Sequence, residues 1–343
     1  MDSAFIIEKS VIIVTVFAIT MIMAMYSTWA ERKVAAYLQD RVGPNRAGWG
    51  GLLQPLADGM KLFAKEEFSP NTPNKFLFVV GPAIAMSTAL MTSAVIPWGD
   101  KLHLFGRDIY LQATDIDVSL LYILGVVSLG VYGIMIGGWA SNNKFSLMGA
   151  VRAASQMVSY EVAMGLSLIA LLMMTGTLSL KEISIQQAGW HWNVFYQPVS
   201  FLIFLICAFA ETNRTPFDLA ECESELIGGY HTEYSSMKMG FYLFAEYANM
   251  FISSTVLAVL FFGGYNYPGM SWAVEHLGVN LANVLGINVL FIKICGFIFF
   301  FMWIRWTIPR FRYDQLMNLG WKILIPLGII NIIITGICIL AFN

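Results

Sequence analysis

Eight apolar runs, each close to the length of a bilayer crossing, decide what this chain can fold into. They fall at about 10–29, 76–97, 118–140, 156–178, 194–210, 240–264, 286–307 and 323–342. Roughly 20 apolar residues, rising about 1.5 Å each, span the ~30 Å hydrocarbon core. Backbone polar groups in that layer find no water, so each run must satisfy its own as a helix. No strand-type alternation competes with this pattern. Only 12% of the 343 residues are charged, about half of what a soluble domain carries. The fold class expected is an all-α polytopic membrane protein: one domain over 1–343 with eight transmembrane helices.

The connections between runs set the orientation. Fifteen of the twenty Lys and Arg residues fall on one side, four (Lys9, Lys101, Arg107, Lys181) on the other, and Lys293 lies inside the seventh run. The positive-inside rule puts the fifteen in the cytoplasm, with both termini on the outer, periplasmic side. Acidic residues Asp2 and Glu8 precede the first run, which passes into Glu31-Arg32-Lys33 and not into a small-residue cleavage site. It reads as a retained span, not a signal peptide. Between the first two runs, Gly43-Pro44-Asn45 signals a turn. Leu52, Leu53, Leu56, Met60 and Phe63 then recur at helical spacing opposite Asp58, Lys61 and Lys65. An amphipathic helix over 49–67, lying in the cytoplasmic interface against lipid, quinone or a partner protein, fits that pattern.

The chemistry concentrates between the fifth and sixth runs. Seven of the twenty-two acids stand in one stretch: Glu211, Asp218, Glu221, Glu223, Glu225, Glu233 and Glu246. Residues 211–239 form an acidic cytoplasmic loop, and Glu246 falls within the sixth run. Glu161 falls within the fourth. If those helices begin near Ala153 and Met239, Glu161 and Glu246 stand about 12 and 10 Å inside them. A carboxyl in a span costs a few kcal/mol, so it requires a use: a proton path, or a hydrogen bond or ion pair between helices, with Lys293 and the loop arginines as available partners. Glu221, Glu223 and Glu225 share one face if the segment is extended and splay apart if it is helical. On one face they repel, raise at least one pKa and titrate as a set. A solvated acidic loop is the plainer alternative.

Other features point away from enzyme chemistry within this chain. Net charge is −2, so no nucleic acid is expected as partner. Cys207, Cys222, Cys295 and Cys338 are scattered without a C-x-x-C pair, and the four histidines (His103, His191, His231, His276) have no metal spacing. No dinucleotide fingerprint, P-loop or nucleophile motif occurs. The arginines are mostly accounted for by orientation. The aromatics Trp29, Tyr37, Trp49, Phe63, Phe217, Tyr230, Tyr234, Trp303 and Trp306 suit an interfacial belt.

Four long segments carry a resemblance. ERKVAAYLQDRVGPNRAGWGGLLQPLADGMKLFAKE, RAASQMVSYEVAMGL, ETNRTPFDLAECESELIGGYHTEY and WIRWTIPRFRYDQLMNLGWK are similar, in the same order, to the cytoplasmic signatures of the H-subunit family of respiratory complex I, whose mitochondrial homologue is called subunit 1. The resemblance runs from about residue 8 to the C-terminus. It implies a membrane component of proton-translocating NADH-quinone oxidoreductase that forms much of a quinone-access chamber without a redox centre of its own. Glu161, Glu211, Glu221, Glu223, Glu225, Glu233, Glu246 and Lys293 would serve the proton path. Glu31, Arg32, Arg41, Asp58, Phe63, Arg214, Phe217, Asp218, Arg305 and Arg310 would line or brace the chamber. FMN and iron–sulfur clusters are expected in partner subunits. The implied neighbours are the peripheral quinone-site and terminal iron–sulfur subunits and small adjacent membrane subunits. The implied location is the bacterial inner membrane, or the mitochondrial one. A homologous component of a membrane-bound hydrogenase or ferredoxin-driven complex, a stand-alone secondary transporter and a purely structural anchor are the alternatives.

Overall fold

A computed structural model describes residues 3–70, 74–104 and 107–342, without the side chains of 3–5, 104, Glu223, Ser224 and 342. In chain order the helices are α1 (Ser3–Leu38), α2 (Gln54–Ala64), α3 (Lys75–Ser93), α4 (Ser119–Ala140), α5 (Lys144–Thr175), α6 (Leu180–Gln186), α7 (Asn193–Tyr196), α8 (Pro198–Glu211), α9 (Glu223–Leu226), α10 (Ser236–Phe261), α11 (Met270–Leu277), α12 (Val279–Thr307), α13 (Tyr313–Asn318) and α14 (Ile325–Phe342). Among the described residues, seven helices are long and apolar enough to cross a membrane: α1, α3, α4, α5, α10, α12, and the unbroken run through α13, a π turn at Leu319–Leu324 and α14.

The remaining expected span, 194–210, is the exception. Pro198 stands at the first turn of α8 and Gln197 before it is non-helical (φ −130°). A proline is tolerated there because its missing N–H would be unpaired anyway. The helix is therefore only 14 residues long, about 21 Å. Its blunt end is stitched to α14 by buried amides: Gln197 Nε2 donates to Thr335 Oγ1 (2.9 Å), and Asn331 Nδ2 donates to Ser200 Oγ (2.8 Å) and Gln197 Oε1 (3.2 Å).

Local signals explain the other helix ends. Asn74 and Asn143 cap α3 and α5, their side chains accepting from Phe76 and Phe145 N–H, and Gly176 closes α5 at φ 68°. Because α5 starts at Lys144, nine residues before the point expected, Glu161 stands about 26 Å along it, not 12. A two-stranded antiparallel hairpin, Lys101–Leu104 (β1) with Arg107–Tyr110 (β2), interrupts the otherwise helical fold. Four-residue strands are too short to show an alternating pattern.

The core has two parts. One joins α5, α8, α10 and α12 through Leu168, Phe204, Phe251, Leu257 and Leu290. The other joins α3, α4 and α10 through Phe78, Val131, Tyr234 and Tyr242. In the second, α3 meets α4 at glycines: a Cβ on Gly133 would lie 2.8 Å from Ala85 N, and one on Gly137 would strike Tyr242 Oη. Tyr242 Oη donates to Gly133 O at 3.0 Å and Tyr234 Oη to Phe78 O at 3.1 Å. These tyrosines hold α10, the most buried of the spans, and so set the position of Glu246.

Candidate functional site

Charged side chains from α1, the 212–235 segment, α10 and the end of α12 converge in one buried cluster. Arg214 is at its centre. Its Nη1 lies 2.5 Å from Glu31 Oε2, and Arg305 Nη1 lies 2.6 Å from Glu31 Oε1. On its other side Nη2 stands 3.9 Å from Glu246 Oε2, and the guanidinium lies 4.0 Å from the Tyr247 ring centroid. Burial pulls the Arg214 pKa down, but Glu31, Tyr247 and Glu246 outweigh it and hold the group further up than usual. Among the described residues Arg214 Nε and Nη2 find no hydrogen-bond partner, although the side chain is only 4% exposed. An unmet buried donor costs about 1–3 kcal/mol. The cation is thus anchored on Glu31 and under-satisfied toward Glu246.

Why Arg214 is so placed can be traced to α5. Gln156, fully buried, donates through Nε2 to the carbonyls of Ala210 and Phe217, both at 2.7 Å. One amide therefore pins both ends of the turn that carries Arg214. Every partner of that nitrogen is an acceptor, so the amide orientation is unambiguous.

Carboxyls continue from the cluster in a file. Glu221 is the neighbouring acid of Glu246 and acts on it electrostatically and through its side chain. Tyr230 Oη also lies 3.4 Å from Glu246 Oε1; burial and then Glu246 push that phenol well up, so it stays a donor. A cavity of about 30 Å³ separates Glu246 from Glu211, lined also by Thr212, Asn213, Tyr242 and Asn249. That volume and those polar walls suit one or two waters. Glu161 is the charged neighbour of Glu211 and accepts a hydrogen bond from Ser128 Oγ. Past Glu211 the next void, about 20 Å³, is walled mostly by apolar side chains such as Leu124, Leu168, Phe204 and Ile252, with Glu211 itself and Ser253 at its edge. So apolar a wall offers water few partners, and among the described residues no further carboxyl lines it.

Asp218 extends the cluster outward, its Oδ2 lying 2.9 Å from Arg310 Nη2. Burial first, and then Glu221, raise its carboxyl to about 6 against the pull of Arg310 and Arg305. The short ion pair argues for the charged form. Arg310 is 38% exposed, however, and solvent screens its attraction.

Comparison with known proteins follows the same direction. The family model described as NADH dehydrogenase matches residues 10–336. The NADH-quinone oxidoreductase H subunit of Flavobacterium psychrophilum is 88% identical over 343 residues, covering all of both chains. The corresponding protein of Flavobacterium johnsoniae is 86% identical over all of this chain and 98% of its own. The first such protein of Geobacter sulfurreducens is 45% identical, covering 95% of this chain and 93% of its own. The chain belongs to the NADH-quinone oxidoreductase H-subunit family. It is a membrane component of respiratory complex I and works with that complex's other subunits.

Against that family the expected site residues divide. Glu31, Arg214, Asp218, Glu221, Glu246, Arg305 and Arg310 come together as described, with Glu211 and Glu161 across the cavity. Arg32 meets Asp58 at 2.6 Å, tying α1 to α2. The Arg41 side chain donates to Gln39 Oε1 at the surface, and Phe63 is 74% exposed. The Glu221–Glu225 run is not extended: Glu223–Leu226 is a helical turn, so Glu221 faces in while Glu225 turns out to Arg152 at 2.6 Å. The Glu223 side chain lies outside the described residues. Glu233 accepts from Asn143 Nδ2 at 2.6 Å, away from Glu246.

Three expectations need correction. Among the described residues Lys293 meets no carboxylate. Its Nζ donates to the carbonyls of Phe262 (2.7 Å), Gly264 (2.8 Å) and Asn266 (2.8 Å) and lies 5.4 Å from the Trp192 ring centroid. Those carbonyls sit past the far end of α10, about 24 Å along it from Glu246. Phe217 is packed in the core against Tyr160 and Phe311, both at 5.5 Å, not against an open chamber. Tyr230 and Tyr234 are buried, unlike Tyr37 and Trp49 of the expected belt. Gln156, Tyr230, Tyr247 and His231 were not anticipated as part of the site. The signal for Gln156 was present: an amide inside an apolar span needs a reason.

Proposed function

We propose that the chain lines the quinone-access chamber of complex I and passes the electrostatic effect of quinone reduction to a carboxylate file. The observation that carries this is the position of Arg214. It grips the chamber acid Glu31 with one nitrogen and faces the file acid Glu246 with another. Quinone reduction takes up two protons and transiently places negative charge near Glu31, Arg305 and Arg32. A change in the charge on Glu31 changes how strongly Arg214 leans toward Glu246, and so the cost of a proton on Glu246 and Glu221. Each pKa unit so moved is about 1.36 kcal/mol. The apolar void beyond Glu211 supports delivery of the proton sideways, to an adjacent membrane subunit, and not straight across this chain.

In this reading α8 is the eighth crossing, both termini face the periplasm of a bacterial inner membrane, and α2 lies in the cytoplasmic interface. The exposed Leu53, Met60 and Phe63 then meet lipid, the quinone tail or the peripheral quinone-site subunit, and electrons arrive from a terminal iron–sulfur cluster held by a neighbour that is fed from FMN. The test is Glu246→Gln in the whole complex reconstituted into vesicles. Protons moved per quinone reduced should fall sharply. An unchanged ratio removes Glu246 from the path.

A further inference from the structure

The file needs a point at which protons enter from water. His231 stands at the open end. Its Nδ1 lies 3.5 Å from Glu221 Oε1, and the two side chains are 16% and 20% exposed. The His231 ring packs edge-on against Tyr230, centroids 5.2 Å apart. Its other nitrogen, Nε2, lies beside Gly228, where even an added Cβ would remain 3.7 Å away, so no side chain of that residue closes the edge. The neighbouring cations are engaged elsewhere: Arg152 with Glu225, Arg310 with Asp218, Arg305 with Glu31. The groups facing the pair are Asp218 on its own segment and Glu246 on α10, both of which act electrostatically on Glu221. Among the described residues Glu221 is the one carboxylate within ion-pair distance of His231.

We propose that His231 is the proton-loading residue of the file, a role that rests on the reading of Glu246 given above. Nε2 takes a proton from solvent on the side of the 212–235 segment. Nδ1–H is then given to the Glu221 carboxylate, which shares it with Glu246. The ring is left neutral with its proton on the other nitrogen, and exchange with water resets it. Histidine suits this because its charge changes near neutral pH and its two nitrogens separate uptake from delivery.

The experiment uses the whole complex in vesicles, with quinone reduction and proton movement followed from about pH 5 to about pH 8, a window centred on ordinary histidine titration. His231→Ala is expected to slow coupled turnover several-fold, most at the alkaline end where protons are scarce, and added imidazole should restore most of the rate. His231→Asn keeps a hydrogen-bonding side chain that cannot titrate, and it should show the same alkaline loss. Wild-type pH profiles in either variant overturn the proposal. So does a loss in His231→Ala that imidazole leaves untouched while the complex remains assembled. If Glu246→Gln abolishes proton movement and both His231 variants behave as wild type, the file stands and only the entry point is wrong. If Glu246→Gln is silent, the file itself has failed.

Discussion

The two ends of α10 hold buried charge in opposite ways. At the end near Glu246, Arg214 is surrounded by groups that can change their own charge: Glu31, Glu246 and, behind them, Glu221. At the far end, Lys293 is surrounded by three peptide carbonyls, which cannot. The second arrangement is fully satisfied, with a cation at the negative end of a helix dipole. The first leaves two guanidinium nitrogens without a hydrogen-bond partner among the described residues, and a small void lies on the other side of Glu246. Fixed dipoles make a charge permanent. Titratable neighbours make it responsive, at a cost in stability.

Substitutions at the two ends should therefore differ in kind. Arg214→Met leaves Glu31 and Glu246 without their shared cation, and breaking a buried pair in that way costs about 3–5 kcal/mol. We expect a large fall in thermal midpoint in mild detergent and loss of quinone reductase activity. Arg214→Lys should rescue stability only in part, because a single ammonium cannot span both acids. A variant with normal activity would erase the contrast.

Asp218 sharpens it through pH. A carboxyl raised to about 6 in the fold stabilises most below its unfolded value of about 3.9, where both states are protonated. That contribution is lost as pH rises through about 6. Asp218→Asn, always neutral, should gain on the order of 3 kcal/mol over wild type at alkaline pH, and the gain should vanish near pH 4. Paired melts across that range test it. A constant difference would mean that Arg310, not burial, governs the group.

Lys293→Met comes next. It loses hydrogen bonds worth about 1.5–3 kcal/mol each to a charged donor, but it also removes an ammonium whose insertion costs about 2.5–3.5 kcal/mol. Taking the low end for the three shared bonds, about 4.5 kcal/mol, against that cost leaves a net loss of about 1–2 kcal/mol by detergent melting, with protons per quinone unchanged. A changed ratio would make the far end responsive too. Arg152→Gln should do least, below about 1 kcal/mol, since the Glu225 partner is 55% exposed and the pair stands off the file.

The spans were legible because length and composition alone specify them; seven runs overlap long apolar helices, though three of those helices extend about nine residues or more past the expected ends. The eighth was legible as a run and not as a helix, because Pro198 shortens it and the amides that seal the gap lie more than 130 residues apart in sequence. At the site, the residue types were readable and the pairings were not. Nothing local tells that Arg214 reaches back 183 residues to Glu31, or that Lys293 prefers carbonyls to carboxylates. The Glu221–Glu225 run was ambiguous between strand and helix spacing, and the loop fold chose the helical turn. His231 was invisible as a partner because only the folded loop brings it beside Glu221.

One consequence of the short α8 concerns voltage. Glu211 closes a helix of about 21 Å where its neighbours cross about 30 Å. A membrane potential is worth about 2.3 kcal/mol per elementary charge per 100 mV, and it falls across the insulating layer alone. On the proposed path a proton at Glu211 would stand at the inner end of the shortest apolar helix, and whatever part of the drop falls along that helix would add to the work of moving it. The occupancy of the acid next to the apolar void would then follow the energised state of the membrane.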